Sequence, residues 1–167
     1  MTGGARPDTR MWMPHDNPAV YKALVALQRA SSTGVDPELA ELIVIRASQL
    51  NGCAYCLHMH TSDALAKEID PHKLMLIAAW REAGPVFTAV ERAVLALTES
   101  VTRIGDHGVP QDVFDSVRDH FDPVETGQLV ASIVMINAWN RIALAGAYPA
   151  GLDERRATLR ASAGAPG

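Results

Sequence analysis

The sequence is poor in aromatic side chains, with three each of Trp, Tyr and Phe in 167 residues, and poorer in cysteine, with two. Two cysteines cannot staple a small secreted domain, so the chain has to be held by an apolar core of its own. Long apolar runs are also missing. The longest, Leu129 to Ile136, soon meets Asn137, Asn140 and Arg141, short of the ~20 residues of a membrane span. No membrane partner is therefore expected. Positive charge is in deficit: 15 Lys and Arg stand against 19 Asp and Glu, a net charge of -4 without any basic block. Nucleic acid is excluded as an expected partner, because nothing here neutralises a phosphate backbone. Met1 to Pro14 lacks the apolar centre of a secretory signal, so a cytoplasmic location is expected.

What is present is a chain with 48% apolar and 20% charged residues, long enough for one domain. Residues 15–152 are expected to form it, with loose ends at 1–14 and 153–167. Asx-Pro pairs recur at Asn17-Pro18, Asp36-Pro37, Asp70-Pro71 and Asp122-Pro123, each supplying an N-cap oxygen and a preset first helical φ. Thr88, with Glu91 three residues later, marks a fifth start. Apolar residues between these signals follow helical spacing, as in Val90, Val94, Leu97 and Val101. Helices are expected near 18–31, 37–50, 53–68, 71–82, 88–104, 110–120 and 123–147. Leu42 to Ile45 resembles a buried strand, but it lies between an Asp-Pro start and the Gly52 stop and is read as helix. The fold class is all-α. The last helix, apolar nearly all round, is central or covered by another subunit.

Both cysteines fall in one window, Cys53-Ala-Tyr-Cys56-Leu-His-Met-His60. On a helix Cys53, Cys56 and His60 lie at i, i+3 and i+7, a stripe about 60° wide, with His58 nearly opposite. Residues three apart place their Cα atoms about 5 Å from each other, inside the range of a disulfide. Helix N-terminal amides and an imidazole both favour thiolate over thiol. His60 leans back over the turn that holds Cys56, in range to take its proton, whereas Cys53 lies nearer the helix N-terminus. Upstream, Glu41 sits among Leu39, Leu42, Ile43 and Ile45 and needs a donor if ionised and buried. A histidine on the next helix would serve, giving a nucleophile, base and orienter in Cys56, His60 and Glu41. The competing readings are two inert core thiols, a Glu41 that is exposed or paired with a basic residue across an interface, and a zinc site. Zinc on Cys53, Cys56 and His58 or His60 would want a second ligand pair that the chain lacks, so no metal and no cofactor are expected.

Glu41, eleven residues, Cys53-x-x-Cys56, three residues, His60 is similar to the core motif of alkylhydroperoxidase AhpD-like proteins in the carboxymuconolactone decarboxylase superfamily. Close resemblance covers about 30 residues, roughly Pro37 to Ala66, and extends more loosely to Asn137–Ala143. It implies an AhpD-like helical bundle of about six to seven helices, assembled as a homotrimer or homohexamer, that reduces hydroperoxides with electrons from a thiol or dithiol donor. By that analogy Cys56 attacks the peroxide, Cys53 resolves the sulfenic acid as a disulfide, and His60 with Glu41 moves the proton. The best-studied branch carries a histidine directly before the second cysteine, where this chain has Tyr55. A dithiol-disulfide oxidoreductase with little peroxidase activity is the alternative enzyme, and an oligomeric helical protein without catalysis the third reading. Tyr55 and Met59 are expected to wall the thiol pocket or pack.

Overall fold

Four Asx-Pro pairs and one Thr set where the helices begin. In the computed structural model, which describes residues 8–152, Asn17, Asp36, Asp70 and Asp122 each accept a backbone N–H from the first turn of the helix that follows. Thr88 and Asp122 complete capping boxes with Glu91 and Glu125. The described helices are α1 (Met13–Asp16), α2 (Pro18–Ser31), α3 (Pro37–Asn51), α4 (Ala54–Ala66), α5 (Pro71–Leu76), α6 (Ala89–Thr102), α7 (Gln111–Arg118) and α8 (Pro123–Gly146). Among the described residues there is no strand, only an isolated bridge between Gly105 and Gly108. The fold is all-α, as expected.

Two helices form the centre. Leu39, Leu42, Ile43, Ile45 and Ala47 of α3 are all buried, so the stretch that mimics a strand is a helix enclosed by α4, α6 and α8. By length and composition α8 is apolar enough to cross a membrane, with a mean hydropathy of 1.4 over its most apolar 18 residues. Here it packs against α2, α3, α4, α6 and α7. Its polar residues bind the core together: Asn51 donates to Asn137 Oδ1 at 2.9 Å and to Asn140 Oδ1 at 2.8 Å. Asn137 in turn donates to Thr102 Oγ1, and Asn140 to Ser48 Oγ. Buried amides paired in this way fix the register of α3, α6 and α8, because any slip would leave them unsatisfied.

The structure departs from expectation in three places. A single helix over 71–82 is replaced by α5 and a 3-10 turn, Ile77–Ala79, that carries Trp80 into the core. Beyond Ala79 the amides of Glu82 and Ala83 close i, i+3 turns on the Ala79 and Trp80 carbonyls, and the Arg92 guanidinium of α6 donates to the carbonyls of Trp80 and Arg81. α7 is shorter than 110–120 because the Val117 carbonyl is shared by the amides of His120 and Phe121, closing the helix end. Residues 8–14, expected as part of a loose end, instead form a strap across the end of α8. There Arg10 N–H donates to the Gly146 carbonyl at 2.9 Å and Met13 N–H donates to the Tyr148 hydroxyl at 2.9 Å. A Cβ at position 146 would lie 2.8 Å from the Met11 carbonyl, so the close approach requires glycine. The expected loose ends at 1–7 and 153–167 lie outside the described residues.

Candidate active site

α3 ends at Gly52, whose φ of +70° turns the chain into the left-handed region open to glycine. That reversal leaves Cys53 extended as the N-cap of α4, with Cys56 N–H donating to Cys53 Sγ at 3.3 Å. Cys53 and Cys56 are joined in a disulfide, with Cα atoms 5.4 Å apart. Both are buried against Ala143, Tyr55 and Tyr148. The Asn51 amide, gripped by Asn137 and Asn140, anchors the turn two residues before the first sulfur.

Cys56 and His60 lie on the wall of one cavity of about 500 Å³ between α2, α4, α8 and the N-terminal strap. Cys53 lies behind it, capping the helix. His60 Nδ1 stands 3.7 Å from Glu41 Oε2, an electrostatic contact slightly longer than a hydrogen bond. Glu41 is buried, and its other oxygen accepts a hydrogen bond from Lys67 Nζ at 2.6 Å. A buried carboxylate is costly when isolated, and an ammonium at this distance favours its ionised form. An ionised Glu41 in turn favours the protonated imidazole on His60, the form reached when His60 accepts a proton from a thiol. Across the cavity, burial pushes the Tyr148 phenol above its ordinary value, opposed by the Met13 amide that donates to it.

All four sequence-predicted site residues converge. Cys53 is bonded to Cys56, Cys56 shares the cavity wall with His60, and His60 contacts Glu41. Glu41 is buried within its own chain, and the basic residue beside it, Lys67, is intramolecular. His58 is exposed and absent from the cavity wall, and His15, His72, His107 and His120 are exposed as well. Among the described residues no cluster of three or more His, Cys, Asp or Glu is placed to hold a metal ion. Tyr55 and Met59 line the cavity. Sequence reasoning missed Lys67, although it lies seven residues beyond His60 and so on the same helical stripe. It also missed Trp12, Tyr21 and Tyr148 as cavity walls, for which no local signal existed.

Residues 18–100 match the model of the carboxymuconolactone decarboxylase family, a span that contains Glu41, Cys53, Cys56, His60 and Lys67. The chain is 36% identical over 129 residues to the uncharacterized protein YdfG of Bacillus subtilis (strain 168), covering 77% of this chain and 87% of that protein. Among solved structures it is similar to ATU0492 of Agrobacterium tumefaciens, a protein of unknown function ascribed to AhpD-type antioxidant defence. That pair shares 35% identity and a TM-score of 0.82 over 87% of this chain and 99% of the other. A peroxidase-related protein of Ralstonia eutropha JMP134 with an alkylhydroperoxidase AhpD core shares the fold. Its TM-score is 0.71 at 23% identity, over 81% of this chain and 73% of that one. With its all-helical bundle, its cysteine pair at the head of α4 and these relatives, the chain belongs to the carboxymuconolactone decarboxylase family, in its AhpD-like branch.

Proposed function

We propose that the protein is a thiol-dependent peroxidase that reduces hydroperoxides through Cys56 and Cys53. The observation that carries this reading is a disulfide-forming pair whose second sulfur shares a cavity wall with His60, itself backed by the buried Glu41. In the reduced protein His60 takes the proton of Cys56, and the thiolate attacks the terminal peroxide oxygen. The S–O bond forms, the O–O bond breaks, and the departing alkoxide takes a proton from the His60 imidazolium to leave as alcohol. Cys53 then attacks the Cys56 sulfenic acid, water departs, and the disulfide of this structure closes. A thiol or dithiol donor returns two electrons and two protons. Because that donor has to be kept reduced, the cytoplasm is the compartment the cycle fits.

Cys56 is assigned the attack because it lines the cavity, whereas Cys53 sits behind it as the N-cap. The same assignment makes Glu41 and Lys67 positioning residues for His60. Apolar side chains left exposed on α2 and α8, among them Val20, Leu27, Val134 and Leu144, support assembly into a homotrimer or homohexamer. Tyr55 favours a second reading: with a phenol where the best-studied branch has an imidazole, turnover of protein or small-molecule disulfides would exceed that of peroxide.

Stopped-flow mixing of the reduced protein with hydrogen peroxide and organic hydroperoxides tests the assignment. Peroxide consumption is expected to require Cys56, and a Cys56→Ser variant that works as fast as the parent would sink it. Faster reduction of a generic disulfide than of any hydroperoxide would favour the second reading.

A further inference from the structure

The chain has nine aromatic residues, three each of Trp, Tyr and Phe. Five of them, Trp12, Tyr21, Tyr55, Trp139 and Tyr148, line the cavity that reaches Cys56 and His60. All three tyrosines and two of the three tryptophans are therefore spent on this one wall. Trp139 also packs against the main core and Tyr55 and Tyr148 against the disulfide, but the main core itself is built largely of Leu, Ile, Val and Ala. The rings are also set in place by one another. Trp12 and Tyr148 have centroids 4.8 Å apart, Tyr55 meets Tyr148 edge-on at 5.5 Å, and Tyr21 meets Trp139 at 5.9 Å. Two polar tips have protein partners: Trp139 Nε1 donates to Gln28 Oε1, and the Tyr148 hydroxyl accepts from Met13 N–H. What these two side chains offer a ligand is mainly ring surface.

The remaining lining has the same character. Among the described residues, the tyrosines, Cys56 and His60 are the titratable side chains on the cavity wall, and none of the described Asp, Glu, Lys or Arg residues lines it. An anionic substrate such as a fatty-acid hydroperoxide would bring its carboxylate to a wall on which no described Lys or Arg stands to meet it, which disfavours its burial there. Hydrogen peroxide would leave nearly all of about 500 Å³ unfilled by ligand. A ring, in contrast, gains from each edge or face contact with an aromatic side chain beyond the burial of its area.

Building on the peroxidase reading, we propose that this cavity selects neutral hydroperoxides whose O–O group is carried next to an aromatic ring, with Trp12 and Tyr55 as specificity-determining walls. The ring lies among the aromatic side chains while the peroxide reaches Cys56, and the alcohol left after O–O cleavage retains the ring and its affinity.

The test has a binding arm that needs no turnover. Saturation-transfer NMR and calorimetry on the disulfide form compare 2-phenyl-2-propanol with tert-butanol, which differ by the ring. The aryl alcohol is expected to bind at least tenfold tighter, and Trp12→Leu or Tyr55→Leu to erase most of that difference. Two variants are used so that a folding defect in one leaves the other. In the kinetic arm, kcat/KM for cumene hydroperoxide over tert-butyl hydroperoxide is expected to be at least tenfold, and to fall toward one in the same variants. Equal affinity for the two alcohols, or a ratio that neither substitution moves, overturns the proposal. Ring-selective binding without consumption of either hydroperoxide would remove the peroxidase reading and leave an aromatic-ligand site.

Discussion

Replacing Lys67 with Met removes the ammonium 2.6 Å from Glu41 Oε1 and keeps most of the apolar stem. Coulomb's law at an effective dielectric of ~20 assigns about 6 kcal/mol to unit charges at that spacing. Lys67 is 47% exposed, so water screens its charge and would replace much of it in the variant. A charge-assisted hydrogen bond in such half-buried settings is worth about 1.5 kcal/mol, or roughly tenfold in proton occupancy. His60 and Lys67 are the ionisable groups placed against Glu41, while Asp63 and Glu68 are the other charges on that stretch of α4 and its end. Other charges on elements packed against α3 pair among themselves, Lys73 with Glu38 and Glu91, and Glu99 with Arg46 and Arg81. Without Lys67, the buried Glu41 takes up a proton more readily, and a neutral Glu41 no longer favours the imidazolium on His60. Less of Cys56 is then held as thiolate. Iodoacetamide capture of Cys56 in the reduced protein, resolved from Cys53 by peptide mass, is expected to slow at pH 7 in Lys67→Met, by at most about tenfold. Lys67→Arg, which keeps a cation beside Glu41, is expected to restore the rate. An unchanged rate in Lys67→Met would show that Lys67 merely tethers the end of α4 and that the relay stops at Glu41.

Glu99 gives a stability prediction with a definite sign. Burial pushes its carboxyl up, but the donors on Trp80, Arg81 and Arg46 outweigh that and hold it below the ordinary carboxylate range. The stabilisation is complete above the unfolded-state value of about 4.5 and is lost as pH falls through the lower folded value. Thermal unfolding of Glu99→Gln is expected to depend less steeply on pH below about 5 than that of the parent, and parallel curves would refute the sign. Asn140 is fully buried and bridges Asn51 to Ser48, so Asn140→Ala removes a buried partner from the Ser48 hydroxyl and leaves the Asn51 amide with Asn137 alone. A cost of about 2 kcal/mol is expected, or a Tm lower by roughly 4–8 °C in calorimetry; an unchanged Tm would show that water takes over both bonds. In Gly146→Ala the new Cβ would meet the Met11 carbonyl and the Tyr148 ring, forcing the strap at 8–14 away from α8. Limited proteolysis is then expected to cut within that strap faster than in the parent, and equal rates would show that the strap adjusts in place.

The sequence is most legible where the chemistry is local. Each Asx-Pro pair carries both its cap and its initiating proline within two residues, and all four helices begin where the pairs predict. The disulfide joins an N-cap to the first turn of its helix, three residues apart, and its Cα separation of 5.4 Å is close to the roughly 5 Å expected of that spacing. Trp80 shows the opposite case. Periodicity continues its helix past Ala79, but the chain tightens there into i, i+3 turns whose Trp80 and Arg81 carbonyls are also held by the Arg92 guanidinium of a later helix. Competition from a remote side chain leaves no mark on local spacing.

The same distinction runs through the site. About 100° per residue puts Cys53, Cys56, His60 and Lys67 within one ~60° stripe, so α4 and its two caps present both sulfurs, the base and the cation in order along their length. Glu41 is the one member from elsewhere, and a carboxylate set among Leu39, Leu42, Ile43 and Ile45 calls for a nearby donor when it is buried. The stripe offers two, His60 at 3.7 Å and Lys67 at 2.6 Å, one on each carboxylate oxygen. The substrate chamber obeys no such rule. Its walls come from residues 12, 21, 55, 139 and 148, brought together only by the strap closing over α8 and by α2 lying beside it. Reactive chemistry in this chain is therefore written on one helix, whereas selectivity depends on contacts that exist only once the bundle has closed. It follows that substitutions along the α4 stripe should alter how fast Cys56 reacts with any electrophile, and substitutions in the strap should alter which substrates reach it.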